Sequence, residues 1–348
     1  MNPYILTVLI FALGLGTTVT FASSHWLLAW MGLEINTLAF LPLMCQPHHP
    51  RAAEATTKYF LTQAAGAAML LFASLTNAWM TGQWALEFMN DPVSSILITM
   101  ALALKIGLAP LHAWLPEVLQ GLDLITGLIL STWQKLAPFC LLVQIYPPNT
   151  NLLLIMGLAS ILIGGWGGLN QTQLRKVLAY SSIAHLGWMM LVLQFSTSLA
   201  FMSLLLYFVI AFTLFLCLKL NNSTNINSLA MSWSKAPVIS SILPIVLLSL
   251  GGLPPLSGFM PKWLILQELT NQDLIPLATL AALSALLSLY FYMRISYAMT
   301  LTMSPNVLSS ILPWRYPLTQ QTMPLAITVS LASCLLPLTP AAIAILTL

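Results

Sequence analysis

Charge is scarce in this sequence: 11 lysines and arginines and 8 aspartates and glutamates are spread over 348 residues. Charged residues make up 5%, against roughly a quarter in an ordinary soluble domain, so almost nothing is available to solvate an outer surface in water. That scarcity excludes a soluble globular fold. Cysteine is also sparse. Cys45, Cys140, Cys217 and Cys334 stand singly within or at the ends of apolar runs, with no paired spacing of a metal or redox site, and read as small hydrophobes. The glycine-rich segments GLG at Gly14 to Gly16 and GGWGG at Gly164 to Gly168 follow no strand. A nucleotide-binding reading therefore fails on context, and close helix packing explains both. His48 and His49 are adjacent in a turn without an acidic or cysteine partner, which makes a poor metal site. No catalytic nucleophile, metal cluster or flavin motif is present, so any redox chemistry is expected on other chains.

What remains is hydrophobic, at 59% of residues and a mean hydropathy of +0.90. Apolar runs of roughly 20 residues recur along the chain, each long enough to cross a hydrocarbon core of roughly 30 Å. They predict an all-α polytopic membrane protein of about eleven transmembrane helices. The first five spans are predicted at 3–22, 25–45, 57–80, 93–113 and 124–146. The next five are 150–169, 176–195, 198–220, 238–270 and 274–298, and the last is 323–346. The first of them has no basic n-region and no small-residue cleavage site, so it is expected to be retained.

Basic residues support this count. With eleven spans, Arg51, Lys58, Arg175, Lys176, Lys219, Lys235, Arg294 and Arg315 all fall on the face that holds the N-terminus. The opposite connections carry Glu87, Asp91, Glu268 and Asp273 instead. Positive residues favour the inner side, which places the N-terminus inside and the C-terminus outside.

Span nine contains Gly251, Gly252, Pro254, Pro255, Gly258 and Pro261 and is too broken for one helix. Span four shows a milder interruption at Gly107 and Pro110. These are the fourth spans of two successive five-helix sets, within one membrane domain over 1–348: a first repeat at 1–146, a second at 150–298 and a final helix at 323–346. Five is odd, so the second repeat enters from the other side. Paired breaks in inverted halves point to an ion or substrate path.

Lys105, Lys135 and Lys262 lie inside these apolar spans. A cation at the centre of a membrane helix costs roughly 2.5 to 3.5 kcal/mol on insertion scales, so three of them mark a path for charge. Glu34 is the one carboxylate placed deep in the membrane, and static pairing with it cannot neutralise three lysines. A carboxylate beside a buried lysine can load or release a proton when the pair moves apart. His112, in the span-four break, is a candidate proton carrier. So is His185, with Ser181 and Ser182 on the same helix face, an arrangement that suits a water wire or interhelical bonding. Lys58, at a span edge, reads chiefly as a side chain reaching toward the headgroups.

KIGLAPLHAWLPEVLQG from Lys105, LRKVLAYSSIAHLGWM from Leu174 and GGLPPLSGFMPKW from Gly251 resemble the signature segments of the antiporter-like membrane subunits of respiratory complex I. Eleven spans rather than fourteen resemble its mitochondrial branch, which lacks three N-terminal helices. The resemblance implies a proton-translocating subunit in the mitochondrial inner membrane, with its N-terminus in the matrix and its C-terminus in the intermembrane space. Other membrane subunits, antiporter-like ones included, and lipids would be its partners, and nucleic acid would not. NADH, FMN, iron-sulfur clusters and ubiquinone would sit on other subunits, leaving this chain without a cofactor. Glu34 with Lys105, then Lys135, then Lys262 match the family's relay positions. Two rival readings are a stand-alone cation/proton antiporter and a scaffold without a proton path.

Overall fold

A computed structural model describes residues 2–87, 89, 91–145, 150–234, 236–301, 323–341 and 344. Lys235, Arg315 and positions 342–343 and 345–346 of the predicted last span lie outside the described residues. Contacts divide the chain into two compact units, Met1–Ala159 and Ser160–Leu348.

The first unit opens with α1 (Pro3–Ala22), α2 (Trp26–Met44) and α3 (Pro50–Thr81). Each has a local start signal. Asn2 caps α1, and the imidazoles of His25 and His49 accept the backbone N–H two residues on to cap α2 and α3. Helices α1 and α2 approach backbone to backbone, since a Cβ on Gly16 would fall 2.9 Å from the Gly32 carbonyl oxygen. Gly14, predicted to serve the same packing, faces open space.

The fourth span is two helices, α4 (Pro92–Ile106) and α5 (Trp114–Gly121), separated by the predicted break. Gly107 ends α4 at φ +86°, a left-handed conformation that glycine adopts without steric cost. The fifth span is also divided, into α6 (Leu124–Ser131) and α7 (Trp133–Gln144), a discontinuity the sequence did not announce. At the joint, the Thr132 hydroxyl donates to the Leu128 carbonyl at 2.8 Å, and Lys135 N–H bonds three residues back to Thr132 at 3.2 Å. A side chain competing for the helical carbonyls and a tightened turn together produce the kink.

In the second unit α8 (Thr150–Gly168) is followed by α9 (Leu174–Val192), α10 (Thr197–Asn221) and the short α11 (Ile226–Ala230). The ninth span is α12 (Pro237–Gly251) and α13 (Phe259–Asn271), again joined through a left-handed glycine, Gly252 at φ +78°. Helices α14 (Ile275–Leu301) and α15 (Met323–Cys334) follow. Interrupted spans counted once, the described helices group into the eleven predicted spans, and among the described residues seven stretches, with α6 and α7 taken together as one, are long and apolar enough to traverse a bilayer.

A shared device ties each unit together. In the first, the link before α2 bonds the link before α4, through Trp26 N–H to Trp84 O at 3.1 Å and Leu86 N–H to Ser24 O at 3.1 Å. In the second, the link before α9 bonds the link after α10, through Leu174 N–H to Thr224 O at 3.0 Å and Ile226 N–H to Thr172 O at 3.2 Å. The GGWGG glycines pack as expected: a Cβ on Gly164 would meet the Ala184 backbone nitrogen at 2.7 Å, and Gly168 lies under the Phe291 ring. Backbone cannot yield as a side-chain tip can, so Gly164→Ala is expected to destabilise the protein by about 1–3 kcal/mol. Thermal melting in detergent checks this against Gly14→Ala, which should leave the midpoint unchanged; equal midpoints for both variants would refute the packing account.

Candidate functional site: buried lysines at interrupted helices

In the first unit the predicted acid and base come from α2 and α4. Glu34 is half-buried; the Thr37 hydroxyl one turn on donates to its backbone carbonyl at 2.9 Å and lies 3.3 Å from its carboxylate. Lys105 is 5% exposed, lies in the last turn of α4, and its Nζ reaches no hydrogen-bond partner among the described residues. The ion pairs among the described residues all involve Lys58, so Glu34 and Lys105 form no salt bridge.

Space for the Lys105 stem comes from α3. A Cβ on Gly66 would sit 3.1 Å from Lys105 Cγ. One turn earlier, the Gln63 amide donates to the Lys105 carbonyl at 3.4 Å, and the Trp114 indole donates to the Leu104 carbonyl at 3.1 Å. These two neutral groups satisfy helix-terminal carbonyls that the break leaves open.

Lys135, 2% exposed, follows the joint between α6 and α7, and α7 packs against α4. Its neighbour Gln134 accepts a long 3.5 Å bond from Tyr59 Oη and donates to the Asn36 carbonyl at 3.5 Å. Tyr59, Gln63 and Gln134 were not singled out in the sequence. The available signal was polar residues recurring inside apolar spans, with Tyr59 and Gln63 one helical turn apart.

His112 lies half-buried in the α4–α5 break, and its Nδ1 has no hydrogen-bond partner among the described residues. Lys58 is elsewhere altogether. It pairs with Glu54 at 2.7 Å and with Glu117 at 2.8 Å, and its side chain is 41% exposed. It clamps α3 to α5 at the surface.

In the second unit Lys262 donates to the Gly251 carbonyl at 2.8 Å and to Leu250 at 3.4 Å. It thereby sets a cation on the open C-terminus of α12, where the helix dipole favours positive charge. The stem passes over Gly252, where a Cβ would lie 2.9 Å from Lys262 Cδ. Lys262, His185, Ser203, Tyr207 and Trp188 share a cavity of about 20 Å³, room for a water molecule. His185 packs on Tyr207 with ring centroids 5.3 Å apart. Ser181 and Ser182 donate to the carbonyls of Leu178 and Ala179 at 2.7 and 2.8 Å. Their hydroxyl protons are thus directed along α9 rather than at His185.

Residues 23–288 match the family described as NADH:quinone oxidoreductase/Mrp antiporter, TM, and residues 289–343 match NADH dehydrogenase subunit 2 C-terminus. NADH-ubiquinone oxidoreductase chain 2 of Tetraodon nigroviridis is 69% identical over 340 residues, covering 98% of each chain. This chain belongs to the NADH-ubiquinone oxidoreductase chain 2 family. The chain 2 of Gadus morhua is 66% identical over 348 residues and covers both chains completely. Among solved structures, a chain of respiratory complex I from Thermus thermophilus superposes with a TM-score of 0.86 at 26% identity, covering 98% of this chain and 80% of that one. A chain of the Mrp complex from Dietzia sp. shares the fold, with a TM-score of 0.80 at 17% identity over 97% of this chain and 77% of that one. The resemblance carried by the three sequence motifs is borne out, and within the antiporter-like family it narrows to chain 2.

The lysine stems lying on glycines give this chain 2 family member a direct test. Gly252→Ala is expected to lift Lys262 off the Gly251 carbonyl and to cost about 1–2 kcal/mol through the left-handed backbone alone. A map of the variant, with its melting temperature, checks this. An unmoved Lys262 and an unchanged melting point would contradict the assignment.

Proposed function

We propose that this chain is a proton-translocating membrane subunit of NADH-ubiquinone oxidoreductase, acting as a translocase element without redox chemistry of its own. Glu34, Lys105 and Lys135 carry the proton path in the first unit, with Lys262 and His185 in the second. His112 is held in reserve at the α4 break, while Lys58, Ser181 and Ser182 support the path from its margins. One observation carries this reading: the Lys105 ammonium is buried at the interrupted end of α4 without a hydrogen-bond partner among the described residues.

A static structural ion pair would close, because a buried charge left unpaired costs several kcal/mol. At an effective dielectric constant near 20, unit charges attract by about 4 kcal/mol at 4 Å and about 2 kcal/mol at 8 Å. A few ångströms of movement by Glu34 therefore changes how firmly Lys105 holds its proton, and the free proton passes to Lys135 on the adjoining α7. Electron transfer on other subunits supplies the displacement. The redox cofactors, NADH, FMN, iron-sulfur clusters and ubiquinone, belong to those subunits. Neighbouring membrane subunits, antiporter-like ones included, and inner-membrane lipids surround this one. The excess of basic residues on one set of connections supports an N-terminus on the matrix side and a C-terminus on the intermembrane-space side.

Lys135→Met in the assembled complex tests the relay. The expected result is normal assembly with a reduced number of protons moved per electron, measured in proteoliposomes. An unchanged ratio would assign the subunit a scaffolding role, and ion exchange by the purified chain alone would favour an autonomous antiporter.

A further inference from the structure

Helix α2 carries two tryptophans in register with its acid. Trp26, Trp30 and Glu34 are successive i, i+4 positions, so all three lie on one helix face. Trp26 is fully buried, and the indole N–H groups of both tryptophans are buried without an acceptor among the described residues. A buried donor without a partner costs roughly 1–3 kcal/mol, so two in succession beside an ionisable group call for a cause. Side chains on a helix lean toward its N-terminus, which carries an extended Glu34 over the turn that holds Trp30. Here the carboxylate has one side-chain contact, a long 3.3 Å one with the Thr37 hydroxyl, which also donates to the Glu34 carbonyl at 2.9 Å.

We propose that the Trp30 indole N–H is the second dock of the Glu34 carboxylate, a positioning residue that holds the acid once it has moved away from Lys105. Trp26 extends the same line of donors toward the start of α2. The idea rests on the proton path proposed above. It adds what that path lacks, a defined place for Glu34 in its displaced state. An indole can only donate, and its bond to an ionised carboxylate is charge-assisted and roughly twice as strong as its bond to the carbonyl oxygen of the protonated acid. The dock therefore favours the state in which Glu34 has given up its proton.

The titratable and charged groups on elements packed against α2 are Tyr4 on α1, the exposed Arg51 with Glu54, Lys58 and Tyr59 on α3, and Lys135 and Cys140 on α7. Lys105, in the last turn of α4, is a further buried base of this unit. Tyr4 is exposed, and Lys58 and Glu54 are paired at the surface, so Tyr59, Lys135 and Lys105 are the groups that share the interior with Glu34.

The test is the pH profile of proton translocation by the assembled complex. Trp30→Phe keeps an aromatic ring and removes the N–H, and is expected to move the acidic limb upward by about one pH unit. Trp30→Tyr restores a donor and should follow wild type. An unshifted Phe variant overturns the proposal. If the Phe variant does not assemble, Tyr and Leu replacements decide it, and coincident profiles for those two also overturn it. Glu34→Gln is measured in parallel. If it leaves translocation intact, the proton path itself fails. If it abolishes translocation while Trp30→Phe shifts nothing, the path stands and only the second dock is lost.

Discussion

An α-helix that stops inside a membrane leaves carbonyls with no water to bond them, and this constraint organises both units. The α4–α5 and α12–α13 interruptions each begin at a left-handed glycine, Gly107 after α4 and Gly252 after α12. Each brings a lysine to the interrupted end, Lys105 in the last turn of α4 and Lys262 folded back onto the last carbonyls of α12. The exposed negative end of the helix lowers the cost of burying an ammonium, and the ammonium in turn satisfies or balances that end. Both lysine stems lie against a glycine, Gly66 and Gly252, so a chain that lacks Cβ atoms at these two places makes the room. Broken helix and buried cation are one solution rather than two features.

The two units carry different side chains at like-numbered positions of their helices. Glu34 is the ninth residue of α2, and the ninth residue of α9 is Ser182. Glu117 is the fourth residue of α5, after Pro116, and the fourth residue of α13 is Lys262, after Pro261. The first unit thus carries acids where the second carries a hydroxyl and a base. The lysines are met differently: Lys105 leaves its α4 carbonyls to Gln63 and Trp114, whereas Lys262 bonds to α12 carbonyls directly.

Much of this was legible in the sequence because its signals are of the kind a bilayer enforces. Span length, proline and glycine inside spans, one-sided basic residues and lysines in apolar runs all reflect the absence of water, and they located the helices, both interruptions and the three lysines. The fifth span read as unbroken because its joint depends on a Thr132 hydroxyl competing for the Leu128 carbonyl, which no glycine or proline announces at that point. Lys58 was readable as peripheral, but its Glu117 partner lies 59 positions away and is joined only by the packing of α3 on α5. Ser181 and Ser182 share a face with His185, yet spacing cannot say whether a hydroxyl turns to the ring or to its own helix. Here both turn to the helix.

The central claim is that Glu34, Lys105 and Lys135 exchange protons through a hydrated protein interior. The most direct measurement is a structure of the assembled complex at a resolution that shows internal waters. The account expects ordered waters joining Glu34 to Lys105 and Lys105 to Lys135, with successive donor–acceptor separations near 2.7–3.2 Å. Dry apolar packing between the two ammonium groups would contradict it.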